Sequence, residues 1–229
     1  MTQHATRLSV IIPTLDEQAR IGRLLRDLAP LRTAGHELIL VDGGSRDGTL
    51  AVAAPLVDRA IQAPRGRASQ MNAGAAQAIG DVLWFVHADT RVPPDAGEQV
   101  VQACRAGHLW GRFDVRLSGR QRALRVIETL MNLRSRFSGI ATGDQGIFVA
   151  RGAFERVGGF PVIPLMEDIA LSRALRRLAR PHCLRRPRLV ASSRRWEERG
   201  ILRTVLLMWR LRLAYALGTP ATELAERYR

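Results

Sequence analysis

Four acidic clusters in this 229-residue chain carry side chains that could ligate a cation or move a proton: Asp42-Gly43-Gly44-Ser45, His87-Ala88-Asp89-Thr90, Gly143-Asp144-Gln145-Gly146 and Met166-Glu167-Asp168. Asp89 follows the apolar run 82–86, with His87 two positions before it. An Asp at the edge of a buried strand can offer oxygen to a hard divalent cation. A cation held there would neutralise a diphosphate and stabilise it as a leaving group. Its alternative role, capping the helix after Pro94, suits Asp89 poorly because it sits too early. Asp168 begins a helix after the Gly158-Gly159-Phe160-Pro161 turn, where it can cap that helix or, projecting into a cleft, act as a general base. Together the two carboxylates would divide the labour, one for metal and one for the proton. Arg65-Gly66-Arg67 precedes another helix, where backbone N–H groups and guanidinium forks favour phosphate, although a solvated arginine pair reads the same way. Asp42 with its glycines is also compatible with a plain turn.

These residues need a scaffold, and the hydrophobic pattern describes one. Residues 8–15 form a β-branched apolar run. Thr14 and Glu17 then have capping-box spacing before the stripe Ile21, Leu24, Leu25 and Leu28, and Pro30 is expected to stop that helix. Strands are expected at 37–41, 59–62, 82–86, 109–117, 145–150 and 188–191. Helices are expected from Thr49, over 68–79, 95–105 and 120–136, and from Glu167 to Leu178. Strands alternating with helices at this spacing predict an α/β fold, a parallel sheet with helices on both faces. In such a sheet ligands bind beyond the carboxyl ends of the strands. Three strand ends here carry acids or polar groups: Thr14, Asp42 and Asp89.

Composition narrows the class. The net charge is +14, all 35 basic residues are Arg, and the two cysteines have no metal or disulfide spacing. The charge is lopsided: residues 1–100 are near neutral and 101–229 carry the excess. Nucleic acid, an anionic membrane surface or a biased codon supply would each explain it. Residues 1–7 lack the apolar stretch of a secretory signal, and no run of about 18 apolar residues is present to span a bilayer. A cytoplasmic protein is expected, with a peripheral place at the inner face of the cell membrane as a second expectation.

The motifs Val10-Ile11-Ile12-Pro13-Thr14-Leu15-Asp16-Glu17, Val41-Asp42-Gly43-Gly44-Ser45-Arg46-Asp47-Gly48-Thr49, His87-Ala88-Asp89, Glu167-Asp168 and Arg195-Trp196, in this order, resemble family 2 glycosyltransferases. More narrowly, His87-Ala88-Asp89-Thr90, Gly143-Asp144-Gln145-Gly146-Ile147-Phe148-Val149 and Pro164-Leu165-Met166-Glu167-Asp168 resemble the radical-SAM/selenodomain-associated transferase 2 subgroup. The resemblance implies the GT-A fold, a mostly parallel sheet flanked by helices that binds nucleotide-diphosphate sugars. It implies a UDP- or GDP-sugar donor, inverting transfer, and Mg²⁺ or Mn²⁺ on Asp89, the last Asp of a DxD-like motif whose first position is His87. Pro13, Glu17 and Asp42 would line the nucleoside pocket, and Arg67 would approach the base or phosphates. Asp168, beside Glu167, would deprotonate the acceptor; Arg195 and Trp196 would lie near the diphosphate; Asp144 and Gln145 would face sugar or acceptor. Gly43, Asp16 and Ser192 depart from the broad family's pattern, as His87 does.

Residues 1–199 read as one transferase domain and 200–229 as an amphipathic helical extension. Residues 201–217 are apolar apart from Arg203, Arg210 and Arg212. Such a helix can pack on the domain, meet a partner, or lie in a membrane interface near a lipid-linked acceptor. Two other functions compete. A sugar-phosphate nucleotidyltransferase would show a Gly-rich basic loop after the first strand, where this chain has Pro13-Thr14-Leu15-Asp16-Glu17. An arginine-rich nucleic-acid-binding module would interleave aromatics with its arginines, and aromatics are only 5% here, so no nucleic-acid partner is expected.

Overall fold

A computed structural model of the chain describes residues 6–228. Residues 1–5, and with them most of the segment read for a signal sequence, lie outside the described residues, as does residue 229. Strand β1 (Leu8–Thr14) and helix α1 (Gln18–Thr33) begin an alternation that continues through β2 (Glu37–Asp42), α2 (Thr49–Ala53), β3 (Arg59–Gln62), α3 (Arg67–Gln77), β4 (Val82–Phe85) and α4 (Ala96–Arg105). Every residue of β1, β2 and β4 is buried, as expected where helices cover both faces of a sheet. The second half supplies β5 (Trp110–Leu117), α5 (Arg122–Ser138), β6 (Phe148–Ala150), α6 (Arg151–Arg156), α7 (Glu167–Arg176), β7 (His182–Ala191), α8 (Arg194–Arg199), α9 (Ile201–Ala216) and α10 (Ala221–Tyr228).

The seven strands lie in the order β3-β2-β1-β4-β6-β5-β7. Neighbours are parallel except at β6, which is antiparallel to both β4 and β5. The sheet is therefore mixed rather than wholly parallel. Running backwards, β6 starts at the carboxyl edge, where Phe85 N donates to Ile147 O at 2.9 Å. That reversal delivers the 143–147 loop to the edge where β4 ends. Successive side chains of β4 serve opposite layers: Trp84 packs with Phe113 and Phe148 on one face, and Phe85 packs with Phe154 and Phe160 on the other.

Several local expectations change. Thr14 does not cap α1: it ends β1, its hydroxyl donates to Val41 O at 3.3 Å, and Glu17 occupies the cap position. Pro30 does not stop α1, which runs on to Thr33 with Pro30 inside its last turn; Pro30 still accepts from Ala34 N at 3.0 Å. Strand β7 begins at His182, well before residue 188, because an edge position tolerates the Arg185-Arg186-Pro187 segment that hid it. Only 148–150 of the expected strand 145–150 is extended, since residues 143–145 form a 3₁₀ turn.

Helix α9 packs along the domain. Ile201 and Val205 meet the cluster of Leu117, Leu124 and Ile127, while Leu211, with Leu224 of α10, packs on Met166 and Ile169. Among the described residues no helix is long and apolar enough to cross a membrane.

Candidate active site

Strand order reverses around β1, with β2 on one side and β4 on the other, and such a switch point opens a crevice at the carboxyl edge. Two loops on its β1–β2 side are laced together. Asp16 N donates to Ser45 Oγ at 2.9 Å, Arg46 N to Asp16 Oδ1 at 2.7 Å, Glu17 N to Thr49 Oγ1 at 2.8 Å and Gly48 N to Gln18 Oε1 at 2.8 Å. Asp16 adopts a left-handed φ of 53°, which the short polar side chains of Asp and Asn tolerate. Asp42 is fully buried; its carboxylate accepts from Gly44 N at 3.0 Å and Ser45 N at 2.9 Å, and the Ser45 hydroxyl also donates to it. Glu17 pairs with Arg20 at 2.9 Å. Beneath these ends the buried Gln70 amide donates to both Thr14 O and Val41 O at 2.8 Å, binding β1 to β2. Pro13, Glu17 and Asp42 are thus gathered at one place, but they do not line the cavity described next.

A cavity of about 510 Å³ on the β4–β6 side brings together Arg67, His87, Asp89, Asp144, Glu167, Asp168, Arg195 and Trp196. Arg67 is aimed there by Gly66, whose φ of 139° turns the chain into α3. Asp89 lies within the turn that Thr90 N closes by donating to His87 O at 3.0 Å, and Arg91 ties this segment to Val190 of β7. The buried His87 ring lies 3.3 Å from the Asp144 carboxylate. Asp144 is 52% exposed, but what it faces is the cavity rather than bulk solvent. Burial there opposes its charge, yet the His87 hydrogen bond and the His87, Arg67 and Arg195 charges outweigh it and hold the carboxyl at about 2.

Met166 adopts a left-handed φ of 71° directly before α7, and burial of its side chain beneath Leu211 and Leu224 holds that turn in place. The acidic pair then opens the helix. Asp168 Oδ2 accepts from Gly143 N at 2.9 Å and Oδ1 from Ile169 N at 2.7 Å. Glu167 is buried, and desolvation, reinforced by the Asp168 charge, raises its pKa. The Arg195 guanidinium lies 4.5 Å from the centre of the Tyr228 ring, another cavity residue. Gln145 stands apart: it is fully buried and caps the 143–145 turn with Thr142, so it does not face the cavity.

Asp89 accepts no hydrogen bond and makes no ion pair among the described residues, which leaves its oxygens open to a ligand. No group of three or more His, Cys, Asp or Glu side chains among those residues could hold an ion alone. Mg²⁺ bound with a nucleotide takes one or two protein carboxylates and fills its shell with phosphate oxygens and water. The donor set fits that case.

Gly143 is the pivot of the site. A methyl group added there would overlap the His87 ring. Its φ is not positive, so Ala fits the backbone and the clash alone acts. Gly143→Ala is expected to displace His87 from Asp144 and lower turnover at least about tenfold, at about 1–3 kcal/mol of stability from overpacking. Initial rates and a thermal melt check both.

Arg134, Arg212 and Tyr228 are among the cavity residues not singled out for the site from the sequence. Arg134 and Arg212 carried a signal, because each continues an apolar stripe, Ile127-Met131-Arg134 on α5 and Val205-Met208-Arg212 on α9.

Comparison with known proteins adds an independent line. The sequence profile described as Glycosyl transferase family 2 matches residues 9–155. The chain is 28% identical over 189 residues to beta-monoglucosyldiacylglycerol synthase of Synechocystis, covering 72% of this chain and 39% of that protein. It is 30% identical over 167 residues to an uncharacterized glycosyltransferase of Mycobacterium tuberculosis, covering 68% of this chain and 63% of that one. The chain thus spans less than two thirds of the length of either relative. Among solved structures, it superposes with a TM-score of 0.68 on glucosyl-3-phosphoglycerate synthase from Mycobacterium tuberculosis in complex with Mn²⁺, uridine diphosphate and glucosyl-3-phosphoglycerate. That match covers 94% of this chain and 80% of the other at 20% identity, and it speaks to a shared fold.

Proposed function

The chain belongs to glycosyl transferase family 2 and has the GT-A fold, and from that premise we propose that it moves a sugar from a nucleotide-diphosphate donor to an acceptor hydroxyl with inversion. One observation carries the reading: a single cavity holds an unengaged Asp89, an Asp168 fixed by two backbone N–H groups, and the guanidiniums of Arg67 and Arg195. Pro13, Glu17 and Asp42 shape the nucleoside pocket at the ends of β1 and β2, with the laced loops giving it a preformed backbone. Asp42 acts there through the turn it builds. Arg67 and Arg195 meet the diphosphate, Asp144 lies toward the transferred sugar, Glu167 flanks the base, and Trp196 supports the α8 turn. Mg²⁺ or Mn²⁺ on Asp89 supplies charge neutralisation to the leaving diphosphate.

Asp168 takes the proton of the acceptor hydroxyl as its oxygen bonds to the anomeric carbon. The bond from that carbon to the diphosphate breaks, and nucleoside diphosphate leaves. Gly143 N–H and Ile169 N–H hold the Asp168 carboxylate in place for this step. Residues 1–199 form the transferase domain in this reading, and 200–229 close the acceptor side of its cavity. Two exposed apolar stripes support a lipid-linked acceptor and a peripheral place on the membrane: Val126, Leu130, Leu133 and Phe137 on α5, and Leu202, Leu206, Trp209 and Leu213 on α9, with Leu217 directly after it. The name of the diacylglycerol-linked relative supports the same direction.

A thermal-shift screen of UDP-, GDP- and dTDP-sugars, each with and without Mn²⁺, tests the donor reading. One nucleotide is expected to raise the melting temperature, and more so with the metal. No stabilisation by any of them would sink the reading.

A further inference from the structure

We propose that Arg134 and Arg212 form a second anion site, on the Asp168 side of the cavity, that binds a phosphate group carried by the acceptor. The assignment to the acceptor rests on the glycosyl-transfer reading; the anion site itself rests on the two arginines.

Both guanidiniums line the same cavity, Arg134 from α5 and Arg212 from α9. Nε and Nη2 of Arg134 are fully buried and have no hydrogen-bond partner. The nearby acids are already engaged. Asp114, buried beneath, is held by Arg112 and Arg136. Asp168 accepts from Gly143 and Ile169. Arg134 therefore has no carboxylate bonded to it; burial, then the Arg212 charge, pull its pKa down to about 10, and the nearby Asp168 charge offsets this only in part. Arg212 makes no hydrogen bond or ion pair among the described residues, and burial lowers its pKa as well.

An uncompensated buried cation is costly, so buried charges are paired or bind a counter-ion. Here the missing partner is an anion, and the cavity is where it would enter. Planar guanidinium forks match phosphate oxygens bidentately. The two arginine pairs face different parts of the cavity: Arg195 lies in the field of Asp144 and Asp89 and Arg67 in that of Asp144, whereas Arg134 lies in the field of Asp168 and Arg212 in that of Asp168 first and Asp144 second. An acceptor anchored by its phosphate between α5 and α9 would present its hydroxyl beside the base. Leu130, Leu133, Met208 and Trp209 form the neighbouring wall, which suits a hydrocarbon chain but does not require one.

The experiment titrates the full-length chain, with UDP or GDP and Mn²⁺ present and absent, against glycerol 3-phosphate by calorimetry. In parallel, phosphatidylcholine vesicles with and without phosphatidylglycerol are floated with the protein. Wild type is compared with Arg134→Met and Arg212→Met. Each variant removes an unpartnered charge, so the melting temperature is expected to hold or rise, which controls for folding. Nucleotide affinity is expected to be unchanged. Weakening of glycerol 3-phosphate binding by tenfold or more in both variants supports the site with a soluble phosphate ester. Loss confined to the phosphatidylglycerol vesicles supports it with a lipid headgroup. Equal behaviour of wild type and variants in both arms, or no binding by wild type in either, overturns it. Nucleotide that fails to bind wild type would overturn the donor reading instead, and the anion titration without nucleotide still reports on the two arginines.

Discussion

Asp168→Asn is expected to lower turnover by about 10²–10⁴-fold, the usual contribution of a placed general base, while leaving nucleotide affinity nearly unchanged. Asn keeps the shape but offers one acceptor oxygen where the carboxylate offers two. Gly143 N–H and Ile169 N–H now share two oxygens, so one of them loses its partner. That loss costs about 1–3 kcal/mol, a drop of about 2–12 °C in melting temperature for a chain of this size. The fall in rate far exceeds what such a loss of folded protein explains at an assay temperature well below the melt. A second readout follows from Glu167. Burial, and then the Asp168 charge, raise its folded pKa above the unfolded value. Its stabilising contribution is therefore present at low pH and is lost as pH rises through the raised pKa. Removing the Asp168 charge should move that loss to lower pH. Full turnover in the variant would remove Asp168 from the mechanism.

Asp89→Ala is expected to abolish the Mn²⁺-dependent part of nucleotide stabilisation and to cost about 10²–10³-fold in turnover, the scale of losing one electrostatic stabiliser of a developing charge. Stability should be unaffected, because the Asp89 carboxylate accepts no hydrogen bond among the described residues. The two variants separate cleanly. Omitting metal should bring wild type down to the Asp89→Ala level, whereas Asp168→Asn should keep its response to metal. If nucleotide binding to Asp89→Ala remains fully metal-dependent, the cation is held elsewhere.

The donor half was legible because its signals are local. Continuous apolar runs gave β1, β2 and β4, and the acids directly after them marked the carboxyl edge. The second half was harder for physical reasons. Strand β7 carries three arginines and a proline, which only an edge position allows. Strand β6 is three residues long, and its direction depends on two neighbours distant in sequence. Gln145 reads like a polar group for a substrate, yet tertiary packing uses its amide on a buried turn. The arginine excess after residue 100 looked uniform and has several uses. Arg112 and Arg136 neutralise Asp114 in the interior, Arg185 and Arg186 ride an edge strand, and Arg134 and Arg212 enter the cavity. Charge counting cannot separate an arginine that is paired from one that is waiting for an anion.

The walls of the cavity are drawn from the chain in a particular sequence. Arg67, His87 and Asp89 lie on its first hundred residues, Asp144 to Asp168 come later, and Arg212 and Tyr228 come from α9 and α10. β1 to β4 are complete in the growing chain before the helices that bury Met166 have been made. The nascent chain would then carry Asp89, the carboxylate proposed to hold the cation, before the turn preceding Asp168 is fixed. The turn that sets Asp168 in the cavity is packed only once α9 and α10 have been made.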